Sequence, residues 1–240
     1  MNKLILCEGA TDAILLSYYL GKTASWRFCK TPKGLPIQTS NGTETVNCYE
    51  KDGDFLLICA VGGKDNFKNF FEEKIKAPLL LSNTFERIVL ITDRDDREND
   101  LIKALLQKAL KDINVKLECS EWVKGSYQDS FGMKKCIEIL LLVIPNEYQG
   151  ALETVMLEAI AEDPYDKHIV ERTGAFAEKM RIEAGKYIDS DRLQLKAHLG
   201  LTWAVQYPEK VFSLIDEQIK NVSWEKSVVL KKCFEKLIEI

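Results

Sequence analysis

Leu4-Ile5-Leu6-Cys7-Glu8-Gly9-Ala10-Thr11-Asp12 and Ile88-Val89-Leu90-Ile91-Thr92-Asp93-Arg94-Asp95-Asp96 decide the fold. Each runs from a short unbroken apolar stretch directly into acidic residues. An apolar stretch of that length without alternation reads as a strand buried on both faces, as in parallel sheets covered by helices. Ligand chemistry in such sheets gathers outside the carboxyl ends of the strands. Glu8 and the Asp93 to Asp96 run both fall at such ends.

Outward from these two segments the chain alternates strand and helix. Lys3 to Cys7 reads as the first strand and Thr11 to Leu20 as a helix, with Thr11 a candidate N-cap, Asp12 favourable in the first turn and Gly21 ending it. Residues 22–53 form an insertion with hairpin or loop character around Asn41-Gly42 and Asp52-Gly53. Phe55 to Val61 reads as a strand closed by a Gly62-Gly63 turn, and residues 64–76 as a helix. Residues 87–92, Val115 to Trp122 and Cys136 to Ile144 are further strands, with helices over 99–111 and Gln149 to Ala161. This alternation predicts an α/β fold with a mostly parallel sheet flanked by helices. Residues 169–184, 190–205, 208–220 and 224–239 are amphipathic and helical. The expected organisation is therefore an α/β domain over 1–162 and a helical cap over 163–240, with Trp203, Phe212 and Trp224 as core anchors.

Composition narrows the chemistry. A 240-residue chain with 46% hydrophobic residues supports a substantial core. No run approaches the roughly 18 apolar residues of a membrane span, and Met1-Asn2-Lys3 leads straight into a strand, so a soluble cytoplasmic protein is expected. Seven cysteines include no Cys-x-x-Cys pair, and His168 and His198 stand alone. Reduced thiols and oxygen ligands, in place of zinc, fit this usage. A net charge of −4 argues against coating nucleic acid through a broad basic surface. Residues 22–43 nevertheless combine Lys22, Arg27, Lys30 and Lys33 with Trp26 and Phe28 and contain no acid. That mixture suits either backbone phosphates with a stacked base or a solvated insertion with inward-packed aromatics.

On a strand, side chains two apart project to one side, so Asp93 and Asp95 are expected to converge, with Glu8 arriving from a neighbouring strand end. Three carboxylates so placed would make a hard oxygen site for Mg²⁺ or Mn²⁺. Alternatively, Asp96, Glu98 and Asp100 belong to the start of the next helix. Gly63 and Lys64 could receive a phosphate at a helix N-terminus, or Lys64 could be an ordinary surface lysine.

Glu-Gly after the first strand, Gly-Gly-Lys after the second and Asp-x-Asp after the third, in that order, resemble the TOPRIM domain over roughly residues 1–125. The Gly62-Gly63-Lys64 turn and the segment Pro145-Asn146-Glu147-Tyr148-Gln149-Gly150-Ala151-Leu152-Glu153 look like OLD-type TOPRIM sequences, including stand-alone ones of unknown function. The resemblance implies that Glu8, Asp93 and Asp95 are the functional acids and that Asp12 is the acid found one turn later. It also implies Glu153 as a candidate second metal ligand and Lys196 as a lysine used in catalysis. No Gly-x-x-x-x-Gly-Lys-Ser/Thr motif is present, so ATP is not implied. The implied activity is a metal-dependent nuclease. The alternatives are a noncatalytic TOPRIM module that binds nucleic acid, nucleotide or a partner protein, and a phosphotransfer protein, for which the expected first-strand aspartate is replaced by Glu8. The cap is free to select substrate or to build a homo-oligomer.

Overall fold

The strand run expected at the amino terminus forms β1 (Asn2–Cys7), whose last four residues are fully enclosed. A computed structural model describes residues 2–30, 37, 44–82, 85–211 and 213–240. Lys33, the Asn41-Gly42 turn and Phe212 lie outside the described residues. After β1 come α1 (Ala10–Thr23), the two-residue β2 (Arg27–Phe28), β3 (Thr45–Lys51) and β4 (Asp54–Ala60). A helical stretch follows, α2 (Phe67–Phe70), a π turn (Phe71–Ile75) and α3 (Lys76–Ser82). The chain continues through β5 (Arg87–Asp93), α4 (Asn99–Ala109), β6 (Trp122–Gln128) and β7 (Lys134–Ile144). It ends in α5 (Leu152–Ile160), α6 (Pro164–Glu183), α7 (Asp191–Gln206), α8 (Ile215–Lys220) and α9 (Val228–Cys233).

The strands build one seven-stranded sheet in the order β2-β3-β4-β1-β5-β7-β6. Its centre, β4-β1-β5-β7, is parallel, with β3 and β6 antiparallel at its flanks. The chain leaves β1 for β4 on one side and then crosses to β5 on the other, so the order reverses beside β1. Such a reversal opens a crevice at the strand carboxyl ends.

Period-two alternation divides the core. Ile5 and Cys7 face a cluster with Leu15, Tyr19, Met156, Trp203, Trp224 and Phe234, whereas Leu4 and Leu6 face one with Phe67, Phe71, Ile102 and Leu106. The C-terminal helices thus share a core with α1 and one face of the sheet. Trp203 and Trp224 are buried there, as expected of anchors. The chain end is tied down as well: Lys3 Nζ donates to the Ile240 carbonyl at 2.7 Å and Trp122 Nε1 to that of Lys236 at 3.0 Å.

Two expectations are corrected, and the hairpin expected at Asp52-Gly53 is present. Residues 115–121 are not a strand; the antiparallel strand begins at Trp122, and Cys119 pairs with Leu141 only through an isolated bridge. The true strand has Lys124, Gly125 and Ser126 in its middle, which hides it from a search for apolar runs. Within the insertion, β3 pairs with β4 along its whole length through an Asp52-Gly53 turn, where φ is +50° and +87°. Two successive left-handed residues give the twist that tight hairpins need. The 208–220 and 224–239 helices are broken into short turns. No helix of the described residues is long and apolar enough to cross a membrane.

Candidate functional site

Four adjacent strands bring their carboxyl ends to the crevice. Glu8 follows β1, Gly62-Gly63-Lys64 follows β4, Asp93 ends β5, and the loop after β7 leads to Glu153 in the first turn of α5. Glu8 is almost fully buried, and its Oε1 accepts from Thr92 Oγ1 at 2.5 Å and from the Asp93 backbone N–H at 2.9 Å. Asp93, equally enclosed, accepts from the Leu152 N–H at 2.8 Å through Oδ1. Asp12 reaches back to the Gly9 N–H at 2.7 Å, which satisfies one of the free donors at the start of α1. These bonds hold one oxygen of each carboxylate. Among the described residues, the second oxygens of Glu8, Asp12 and Asp93 have no protein donor.

The acids act on one another. Burial, then the charges of Asp12, Glu8 and Glu153, push the Asp93 carboxyl up to about 8. Burial also raises Asp12 to about 7, against the Gly9 hydrogen bond, with Glu8 and Glu153 adding to the rise and Arg192 opposing it. Glu8, Asp12, Asp93 and Glu153 thus share one electrostatic environment at these strand ends.

Asp95 reaches the same rim beside Lys64, but not by the strand alternation expected. β5 ends at Asp93, and Asp95 has a φ of +55° with its N–H donated to the Gly150 carbonyl at 2.6 Å. Its Oδ2 instead meets Lys64 Nζ at 2.6 Å. The alternation rule holds only while the backbone stays extended. Lys64 is likewise not an open phosphate contact: its buried ammonium also donates to the Asp93 carbonyl at 2.6 Å and lies 3.6 Å from Glu8 Oε1. Gly63 donates its N–H to the Glu8 carbonyl at 2.9 Å, fastening the turn to β1.

The helical cap adds the basic side. Lys196 Nζ lies 4.0 Å from Glu153 Oε1, and Arg192, four residues earlier on the same face of α7, acts on Asp12. Both are exposed. Sequence reasoning missed Arg192 and Thr92; the spacing to Lys196 signalled the first, and nothing marked the second. His198, by contrast, bonds the Val170 carbonyl at 2.8 Å and packs α6 on α7.

Among the described residues, no three His, Cys, Asp or Glu side chains are grouped closely enough to hold a metal ion directly. The donor chemistry still suits a hard cation: uncommitted carboxylate oxygens, mutual repulsion and enclosure. Mg²⁺ commonly takes one or two carboxylates and reaches other partners through its own waters. A surface cavity of about 950 Å³ beside Gln107, Lys111 and Tyr127 lies at the far end of α4 and includes none of these acids.

Among solved structures, the hypothetical protein PH0156 from Pyrococcus horikoshii OT3 resembles this chain over 99% of each, with 17% identity and a TM-score of 0.50. That likeness concerns the fold alone. A lactoylglutathione lyase from Agrobacterium tumefaciens aligns with 59% of this chain and 91% of its own, at 14% identity and a TM-score of 0.19, too low to support any argument. No curated protein matches the sequence. The sequence pattern of a family described as proteins of unknown function, DUF3226, matches residues 2–239, and the chain belongs to that family.

Proposed function

We propose that this protein is a Mg²⁺- or Mn²⁺-dependent phosphodiesterase acting on nucleic acid, built on a TOPRIM-like arrangement of the OLD type. The observation that carries the reading is the set of acids at the strand-order reversal, Glu8 and Asp93 buried and Asp12 and Glu153 half-buried, faced by Arg192 and Lys196 from α7. Acids this crowded favour a cation, and cationic side chains beside them favour a phosphate. A bound divalent ion supplies Lewis-acid polarisation and a hydroxide nucleophile at neutral pH.

The protein's own groups have separable tasks. Thr92 and the Asp93 N–H fix the Glu8 carboxylate, and the Leu152 N–H fixes Asp93, so each presents its remaining oxygen without reorganisation. Arg192 and Lys196 are placed to bind the non-bridging oxygens of a phosphodiester and to orient it. Lys64 neutralises Asp95 and part of the Glu8 charge, which keeps the rim from opening through repulsion.

The alternative, a noncatalytic module that binds nucleic acid, nucleotide or a partner protein, is favoured by the absence of a direct three-ligand grouping among the described residues. Incubation with supercoiled, linear and single-stranded DNA and with structured RNA in Mn²⁺ separates the two. Scission by wild type, abolished by EDTA and reduced at least a hundredfold in Glu8→Gln and Asp93→Asn, is the expected result. Intact substrates throughout, or undiminished cleavage by both variants, reject the enzyme reading.

A further inference from the structure

A second cavity, about 580 Å³, lies between α1 and the β3 edge of the sheet. Its wall includes Phe28, Tyr49, Trp26 and Asn47, with Lys22 at its α1 side. The aromatic residues differ in role. Phe28 is more than half exposed and meets Tyr49 edge-on at 5.7 Å between ring centroids, so its face is open to stacking. Trp26 is buried, with the ammonium groups of Lys3 and Lys51 at 5.1 and 5.9 Å from its ring centre. Its indole Nε1–H is enclosed and has no acceptor.

The size, an exposed aromatic ring, a carboxamide and a nearby ammonium together describe a receptor for a planar heterocycle attached to an anion. Tyr18 donates to Asp216 Oδ2 at 3.3 Å across the same cavity, which leaves a carboxylate able to accept from a ring N–H or an exocyclic amine of a base. The cavity also has a definite relation to the acids. Asp12 and Tyr18 stand on one helix, and a rise of about 1.5 Å per residue separates them by about 9 Å along its axis. That is near enough for one strand to reach both.

We propose that this cavity binds an unpaired nucleobase of a single strand whose phosphate lies at the acidic group. The ring stacks on Phe28, Asn47 reads the polar edge and Lys22 holds an adjacent phosphate. A duplex cannot enter, because its bases are paired and stacked internally. The strand's position rests on the phosphodiesterase reading; the pocket's affinity for a base does not.

The test is fluorescence anisotropy of fluorescein-labelled single-stranded dT12 and of a labelled 12-base-pair duplex, in EDTA, with wild type, Phe28→Ala and Asn47→Ala. Wild type is expected to prefer dT12, with about tenfold weaker dT12 binding by Phe28→Ala and unchanged duplex binding. Asn47→Ala removes the carboxamide and keeps the aromatic wall, for a loss of about fivefold. Equal dT12 affinity in wild type and both variants, or no dT12 binding by wild type, overturns the pocket. Mn²⁺-dependent cleavage with Phe28-independent dT12 binding rejects the pocket and keeps the phosphodiesterase. Phe28-dependent binding without cleavage keeps the pocket and rejects the phosphodiesterase.

Discussion

The buried carboxyl of Asp93 sets a pH dependence at the level of one residue. An ordinary aspartate ionises near pH 4, whereas burial and the neighbouring acids hold Asp93 protonated up to about 8. Between those values the folded chain keeps a proton that the unfolded chain has released, so stability falls as pH rises and levels off above about 8. Asp93→Asn retains an acceptor for the Leu152 N–H and removes the ionisation. Urea denaturation in EDTA should show this variant equal to wild type near pH 4 and more stable near pH 8 by on the order of 1–3 kcal/mol. An unchanged difference across that range would mean that Asp93 ionises normally. The neighbouring residue pattern shows where reading a sequence stops working. Asp93 and Asp95 look equivalent in Asp-x-Asp, yet one faces Glu8 and the other Lys64, because the backbone turns left-handed between them.

At the level of elements, the join between β7 and α5 controls the site. Gly150 has a φ of +151°, and a Cβ there would stand 2.8 Å from Thr154 Oγ1. That hydroxyl accepts from the Ala151 N–H at the start of α5. Gly150→Ala should therefore cost about 1–3 kcal/mol through strain and the displaced cap, read as a lowered urea midpoint. Because α5 supplies the Leu152 N–H to Asp93, the same variant should weaken Mn²⁺ binding in a calorimetric titration; a full-strength titration would show that the α5 start does not position Asp93. The segment from Pro145 to Glu153 was legible as a loop leading into a helix. Its bonding of Gly150 to Asp95 was not, since residues 55 positions apart carry no local signal of their pairing.

For the whole molecule, the last turns of the chain close the core beneath α1. Trp224, Leu230, Phe234 and Leu237 are buried, and Phe234 packs on Tyr19 with ring centroids 5.0 Å apart. Burying four such side chains contributes roughly 6–12 kcal/mol, comparable to the whole stability of an ordinary domain. Deleting residues 224–240 should abolish the cooperative thermal transition; a sharp transition in the shortened chain would show that the sheet and α1 stand alone. The helical character of this region was evident from periodicity, but its breakage into short turns was not, because packing against α1 overrides weak local preference. By itself the sequence determined the four parallel strands and the acids at their ends, since an unbroken apolar run admits few environments besides a covered sheet. Only the tertiary structure decided how the acids face one another, that Lys64 pairs inward and that Lys196 approaches Glu153. Those outcomes depend on strand order and on the backbone's direction after each strand, and both are set by contacts between residues far apart in the chain.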